Sequence, residues 1–79
     1  MSNADLTLEA VEDLTPSAKL VYKVLEHADD PLDQAEIADR TMLPRRTVRG
    51  ALADLEDVGA VSSKTCLLDA RKNIYSLDK

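Results

Sequence analysis

The chain contains neither tryptophan nor phenylalanine among its 79 residues, and tyrosine occurs only twice. Its core must therefore be aliphatic, built from leucine, valine, isoleucine and alanine. No apolar run approaches the ~20 residues that a membrane-spanning helix requires, and no signal-peptide pattern opens the sequence. A single cysteine, Cys66, excludes an intramolecular disulfide and fits a reducing compartment, so we expect a cytoplasmic protein.

Groups that would carry catalysis or bind a metal are also scarce. The sequence has no catalytic triad, no carboxylate pair and no glycine-rich loop that would hold a phosphate, so we expect a protein that is not an enzyme. The only histidine, His27, has no cysteine or histidine near it, which argues against a metal site. We therefore expect neither a metal nor a cofactor. With 44% hydrophobic and 32% charged residues, the composition is that of one soluble globular domain.

The formal net charge of -5 is distributed unevenly along the chain. Residues 1–39 contain ten acids and two lysines, whereas residues 40–79 contain eight lysines and arginines against five acids. Within the second half, the fourteen residues from Arg40 to Ala53 include four arginines and no acid. Such asymmetry is a hint of nucleic-acid contact, although a solvated acidic face with ordinary surface arginines would give the same charges.

Apolar spacing and capping signals predict two helices in the first third of the chain. Leucine, alanine and valine at helical spacing predict a short leading helix over residues 5–13. Thr15 and Pro16 are typical of a helix start, because a capping hydroxyl is followed by proline at the first helical position. The apolar stripe after them extends to Ala28, and residues 29–31, with the sequence Asp-Asp-Pro, end this helix.

Two further helices are predicted close together in sequence. Asp33 and Glu36 have the spacing of a capping box and predict a second core helix. Residues 41–43 form a tight connection to a third core helix, which is predicted over residues 44–58. Gly59 follows at the position where a left-handed residue usually ends a helix.

After the third core helix the pattern changes from helical to extended. Residues 60–68 and 73–77 predict two strands, with a polar turn over residues 69–72. The predicted class is α+β and mainly helical: a winged helix-turn-helix with a three-helix core, a C-terminal β-hairpin wing and a short leading N-terminal helix. This domain would span residues 14–79 and be preceded by a segment over residues 1–13. The same pattern would also suit a generic small α+β domain.

Several short motifs carry a resemblance to a known family: Leu14-Thr15, Glu36-Ile37-Ala38, Pro44, Thr47-Val48, Leu55-Glu56 and Gly59. Together they resemble the winged-helix DNA-binding domains of MarR-type and TrmB-type transcriptional regulators. The TrmB group is chiefly archaeal, so we expect an archaeal source. The Asp69-Ala70-Arg71 turn is similar to the wing of MarR proteins, in which an arginine reaches the DNA minor groove.

The resemblance covers most of the chain and has two departures. Gly50 stands where these families often have an arginine or another long side chain. The sequence after the wing contains neither the dimerisation helices of MarR proteins nor the effector domain of TrmB proteins, so no small-molecule effector is inferred.

The resemblance implies a DNA-binding surface on two elements. The third core helix, residues 44–58, would lie in the major groove, and the wing, residues 64–73, would lie on the minor groove or backbone. Helical spacing places the arginines of the third helix on the face opposite Val48 and Leu52. The candidate DNA-binding residues are Arg45, Arg46, Thr47, Arg49, Gly50, Lys64, Arg71 and Lys72.

Different roles are expected for these side chains. Arg46 and Arg49 are predicted to read bases, because an arginine fork fits the guanine edge, although the same fork also fits phosphate. Arg45 and Thr47 are predicted to hold phosphate or base-edge contacts. Arg40 is left out of the surface, since a cation near a helix C-terminus is accounted for by the helix dipole.

The function predicted from these residues is sequence-specific binding of double-stranded DNA by a transcriptional regulator. The alternative is a winged-helix module that binds another protein in a larger complex. Arginines on the exposed face of the third helix favour DNA, whereas an apolar patch there would favour a protein partner. A homodimer is also predicted, with residues 1–13 as a contact between subunits; the alternative is that this segment packs on the core of its own chain.

Overall fold

The structure of the protein, a computed structural model, describes residues 11–69 and 71–77. Most of the predicted leading helix over residues 5–13 lies outside the described residues. The elements, in chain order, are α1 (Pro16–His27), β1 (Leu32–Asp33), α2 (Gln34–Thr41), α3 (Arg45–Asp57), β2 (Val61–Thr65) and β3 (Asn73–Leu77).

Helix α1 begins where the sequence predicts. The Thr15 hydroxyl accepts a hydrogen bond from the backbone N–H of Ala18 at 3.3 Å, and Pro16 occupies the first helical position. Helix starts leave several N–H groups without an internal partner, so this bond stabilises the first turn. The helix buries Val21 and Leu25 against the rest of the core.

The predicted capping box at the start of α2 is confirmed by two reciprocal hydrogen bonds. Asp33 Oδ1 accepts from the backbone N–H of Glu36 at 2.8 Å, and Glu36 Oε1 accepts from the backbone N–H of Asp33 at 3.2 Å. At the other end, the Thr41 hydroxyl donates to the Ile37 carbonyl at 2.8 Å. Met42 then adopts a left-handed conformation, with φ of 60°, and turns the chain towards α3.

Helix α3 extends over Arg45–Asp57, one residue shorter at each end than the predicted 44–58. Pro44 is the residue before the first turn, because its carbonyl accepts the first helical hydrogen bond, from Val48 at 3.0 Å. Gly59 has φ of 76° and ends the helix in the left-handed conformation that the sequence indicated.

The sheet differs from the prediction in two respects. Strand β2 covers Val61–Thr65 rather than residues 60–68, since the chain leaves the ladder at Cys66 to form the tip of the wing. The two-residue strand β1 was not predicted at all. The sheet is antiparallel with the order β1-β3-β2, so β3 joins the wing to the start of α2.

The core is aliphatic, as expected from the composition. Its largest fully buried side chains come from all three helices: Ile37, Leu52, Leu55, Val21 and Val48. Tyr75 from β3 is also buried, and its hydroxyl accepts a hydrogen bond from Gln34 Nε2 at 3.1 Å. Buried polar groups need such partners, so this bond ties the base of the wing to α2.

The described residues confirm the predicted α+β class and the winged helix-turn-helix fold. Helices α2 and α3 form the helix-turn-helix pair, and β2 with β3 form the wing. None of the helices within residues 11–69 and 71–77 is both long and apolar enough to span a membrane.

Candidate nucleic-acid interface

The first half of α3 carries its arginines on the outer face. Arg45, Arg46 and Arg49 are exposed, whereas Val48 and Leu52 on the opposite side are fully buried. The predicted division of this helix into a cationic outer face and an apolar inner face is therefore confirmed. The buried side fixes the rotation of α3, so the arginines are directed to solvent by the packing of the core.

Two smaller residues lie among these arginines. Thr47 is partly buried and Gly50 is exposed. Apart from the adjoining residues and the backbone of α3 itself, a methyl group added at Gly50 would meet no atom of the described residues within 4 Å. Packing inside the protein therefore gives no reason for glycine at this position, and the surface of α3 is left open to a close approach from outside.

The charges on α3 run against its own dipole. The partial positive charge of a helix lies at its N-terminus, where acids are stabilising and cations are not. Helix α3 has no acid in its first turn and no basic residue in its last turn. Instead, Arg45 and Arg46 stand at the N-terminus, and Glu56 and Asp57 stand at the C-terminus. An anion bound at the first turn would remove this unfavourable arrangement.

The wing tip is closed by a tight set of hydrogen bonds. Cys66 N–H donates to the Lys72 carbonyl at 2.8 Å, and Lys72 N–H donates to the Asp69 carbonyl at 3.0 Å. Asp69 Oδ1 also accepts from the backbone N–H of Arg71 at 3.0 Å and from its Nε at 3.3 Å. Arg71 is thus held by Asp69 while its side chain stays 91% exposed.

The contact with Arg71 changes the acidity of Asp69. The backbone N–H of Arg71 and, after it, the Arg71 side chain hold the pKa of the Asp69 carboxyl below its ordinary value of 3.8. The nearby Lys72 charge acts in the same direction. Asp69 is consequently ionised at neutral pH and neutralises part of the charge of Arg71 in the free protein.

The second wing cation is turned towards α2. Lys72 Nζ lies 4.0 Å from Oδ2 of Asp33, the residue that caps α2. Exposed ion pairs at such a distance contribute little to stability. This pair therefore orients Lys72 only weakly. The ammonium group of Lys72 could leave the Asp33 carboxylate and bind a phosphate instead.

A groove of about 240 Å³ brings the wing and α3 together. One wall is formed by residues 33–35 at the start of α2, another by residues 71–73 of the wing, and Arg45 of α3 completes it. Three cations, Arg45, Arg71 and Lys72, therefore line one cavity together with Asp33. This meeting of α3 and the wing was not predictable from residue spacing within either element.

The other candidate residues do not line this groove. Arg46, Thr47, Arg49 and Gly50 lie farther along α3, and Lys64 stands exposed on β2 opposite Ile74 of β3. Arg40 occupies a different surface, beside Lys23, Val24 and His27 of α1. Its position in the last turn of α2 agrees with the expected role as a partner of the helix dipole.

Sequence reasoning missed three residues at this surface. Asp33 was predicted only as a helix cap, yet it also faces Lys72 across the groove. Leu67 and Leu68 were assigned to a strand, but they lie at the wing tip with 102% and 97% of their surface exposed. Two adjacent leucines interrupt the alternation expected of a half-buried strand, and that break was the available signal.

No protein-family model and no curated protein matches the sequence. Solved structures do match in fold. The MepR–DNA complex of S. aureus superposes with a TM-score of 0.71 at 24% identity, over 95% of this chain and 60% of the other. The PcaV transcriptional regulator from Streptomyces coelicolor gives a TM-score of 0.77 at 25% identity, over 89% of this chain and 52% of the other. A probable transcriptional regulator from Pseudomonas aeruginosa gives 0.77 at 22% identity, over 95% and 57%.

These neighbours are winged-helix transcriptional regulators of the MarR type, so the resemblance drawn from the residues is confirmed for the fold. The chain spans between 52% and 60% of the length of the three neighbouring chains. The shared part contains the helix-turn-helix pair and the wing described above.

Proposed function

We propose that this chain is the DNA-binding domain of a transcriptional regulator, with α3 in the major groove of double-stranded DNA and the wing on the adjacent minor groove. The observation that carries the proposal is the grouping of exposed cations on these two elements, in a chain whose formal net charge is -5. The similarity in fold to MepR, which was crystallised with DNA, supports the same conclusion.

The charge order of α3 favours a phosphate ligand. Its first turn has Arg45 and Arg46 but no acid, and Pro44 provides no capping side chain. Backbone N–H groups at a helix start bind phosphate well, and nearby guanidinium groups add charge-assisted hydrogen bonds. An arrangement that is unfavourable in the free helix thus becomes favourable once a phosphate backbone lies against it.

The groove offers a second place for the backbone. Arg45 from α3 and Arg71 with Lys72 from the wing line the same cavity, so a strand passing between α3 and the wing would meet all three cations. In the free protein Asp33 and Asp69 accompany the wing cations. Binding would exchange these carboxylates for phosphate oxygens.

Roles for the individual residues follow from position and chemistry. Arg46 and Arg49, exposed beyond the groove, would read base edges, because a guanidinium binds guanine O6 and N7 with two hydrogen bonds. Thr47 would contact phosphate beside Arg45. Gly50 would allow the duplex to approach the helix closely. Lys64 would join Arg71 and Lys72 on the minor-groove side.

A protein partner for α3 is less well supported. Such a partner would require exposed apolar side chains on the outer face of this helix. The large hydrophobic residues that are exposed within the described ranges are Leu20, Met42, Leu67 and Leu68, and they all lie outside Arg45–Asp57. The outer face of α3 is therefore suited to DNA.

Three further parts of the proposal concern the whole protein. It would act in the cytoplasm by binding DNA rather than by catalysis, and it would bind as a homodimer with residues 1–13 between the subunits. Two recognition helices in a dimer would reach half-sites about one helical turn of DNA apart. Residues 1–10 lie outside the described residues, so the dimer contact stays a prediction.

Fluorescence anisotropy on random and genomic duplexes, measured from about 50 to 200 mM salt, tests the proposal. We expect log Kd to change linearly with log salt, with a slope of about 0.9 for each phosphate contact. Arg45→Ala should lower that slope by about 0.9, the value for one lost phosphate contact. Arg40→Ala removes the same charge from a surface outside the groove and should leave the slope unchanged. Absence of salt-dependent binding at every ionic strength would refute DNA binding.

A further inference from the structure

The wing tip exposes two leucines that the fold does not use. Leu67 and Leu68 have 102% and 97% of their surface open to solvent, whereas the core leucines of α3 are almost completely buried. Single exposed leucines are common on proteins, but two adjacent ones at the end of a projecting hairpin form an apolar point. They make no contribution to the core that would account for their presence.

The backbone presents these leucines in a defined geometry. Asp69 N–H donates to the Cys66 carbonyl at 3.3 Å, so Leu67 and Leu68 are the two central residues of a four-residue turn. Such corners usually hold glycine, asparagine, aspartate, serine or proline. The hydrogen bond between Cys66 N–H and the Lys72 carbonyl closes the loop behind them. The two side chains are therefore carried on a short, internally bonded tip.

The chemistry around the leucines indicates what they would contact. Arg71 and Lys72 lie in the same loop, and Lys64 lies on the strand that leads into it. The one acid between them, Asp69, is paired with Arg71. An apolar point on a hairpin that also carries exposed cations is complementary to a ligand with a polyanionic outside and apolar layers inside. Stacked bases behind a phosphate backbone have this character.

We propose that Leu67 and Leu68 act as an apolar wedge, which enters the minor groove beside Arg71, opens one base step and bends the duplex. The inference rests on the DNA-binding function proposed above. Leucine is among the residues that proteins insert between base steps, and such insertion kinks DNA away from the minor groove. Pyrimidine–purine steps unstack most easily, so the wedge favours a site with such a step beneath the wing.

The test compares the wild-type protein with the double variant Leu67→Ser, Leu68→Ser. Because neither leucine is packed in the core, the variant should keep the wild-type melting temperature, which serves as the control for folding. Affinity is measured by anisotropy on the duplex that the wild type binds best. Bending is measured by energy transfer between dyes at the two duplex ends.

We expect the double variant to bind about tenfold more weakly and to lose the wild-type bend. Its salt slope should be unchanged, because the variant removes no cation. Lys72→Ala should give the opposite pattern, with a slope lowered by about 0.9 and the bend retained. Moving the pyrimidine–purine step out of the position beneath the wing should lower the duplex affinity of the wild type more than that of the double variant.

Several results would overturn the wedge. One is a wild-type complex with straight DNA, and another is a double variant that bends the duplex as the wild type does. Unchanged duplex binding with altered self-association in sedimentation would assign the leucines to a second copy of the chain. In each of these cases the wild type still binds DNA, so the proposed function would stand. A wild type that binds no duplex would refute both.

Discussion

Asp69 Oδ1 accepts two hydrogen bonds from Arg71, one from the backbone N–H at 3.0 Å and one from Nε at 3.3 Å. The first bond shapes the turn of the wing, and the second holds the guanidinium next to it. One carboxylate thus sets both the path of the chain and the direction of the cation. In the proposed complex, DNA would take over the second bond and leave the first in place.

The pKa of Asp69 provides the first prediction. It lies below 3.8 in the folded protein, first because of the Arg71 backbone N–H and next because of the Arg71 side chain. A pKa lowered by folding stabilises the fold above the unfolded value, and this stabilisation is lost as pH falls through the folded value. NMR titration of the Asp69 carboxyl carbon should show the lowered pKa. Arg71→Ala should raise it only part of the way, since the backbone bond remains.

Arg49→Ala is the matched control for that titration, because it removes an arginine from α3 rather than from the wing. It should leave the Asp69 titration as in the wild type. An Asp69 carboxyl that titrates identically in the wild type and in Arg71→Ala would contradict the side-chain contact.

Gly50→Ala is expected to stabilise the protein and weaken DNA binding together. Alanine in a helix interior is favoured over glycine by about 0.5–1 kcal/mol, and the added methyl group would clash with no other part of the described structure. The same methyl group would stand between α3 and a duplex that approaches closely. Thermal melting and anisotropy measure the two effects.

Ala53→Gly is the reverse exchange at an exposed position of the same helix. It should destabilise the fold by a similar amount and leave duplex affinity unchanged. If Gly50→Ala stabilised the fold at unchanged affinity, Gly50 would have no part in binding, although α3 would keep its proposed place in the groove.

Arg46→Glu should raise stability and abolish binding. A glutamate in the first turn of α3 would interact favourably with the helix dipole, where the arginine does not, by about 0.3–1 kcal/mol. In the proposed complex, the same change would place a negative charge against the DNA. The free energy of unfolding from chemical denaturation should therefore rise while the DNA affinity from anisotropy falls. Arg46→Gln, which removes the charge without reversing it, should have a stability and a DNA affinity between those of the wild type and Arg46→Glu. A loss of stability in Arg46→Glu would contradict the dipole argument.

Base contacts and backbone contacts should separate in a comparison of Arg49→Ala with Lys72→Ala. Losing a bidentate arginine–guanine contact costs about 1–3 kcal/mol on the preferred sequence and little on others. Losing a phosphate contact weakens all sequences alike. Both variants are titrated on the preferred duplex and on a scrambled one at fixed salt. Similar losses on the two duplexes for Arg49→Ala would remove this residue from base recognition.

Much of the helical part of the fold was predictable, because its signals are local. Thr15 with Pro16, Asp33 with Glu36, and Gly59 each mark a helix end through contacts within four residues of themselves. The observed ends lie within a residue or two of the predicted ones. The cationic face of α3 was predictable for the same reason, since helical spacing alone separates arginines from buried valine and leucine.

The sheet and the groove depended on contacts between distant parts of the chain. Strand β1 has only two residues, and it exists because Leu32 and Asp33 pair with Tyr75 and Ile74 of β3. No local pattern signals such a pairing. The meeting of Arg45 with the wing cations has the same origin, because it follows from how β3 places the wing beside α2.

The link between β3 and the start of α2 would restrict the kind of duplex that the proposed DNA-binding surface accepts. The base of the wing is anchored to β1 by strand pairing and to α2 by the hydrogen bond between Gln34 and the Tyr75 hydroxyl. Helix α2 in turn forms the helix-turn-helix pair with α3. The separation between α3 and the wing is thereby set by contacts within the protein. B-form DNA offers a wide major groove beside a narrow minor one, whereas A-form RNA has a deep, narrow major groove. Because the separation between α3 and the wing is fixed, the protein would distinguish B-form DNA from A-form RNA by groove dimensions before any base is read.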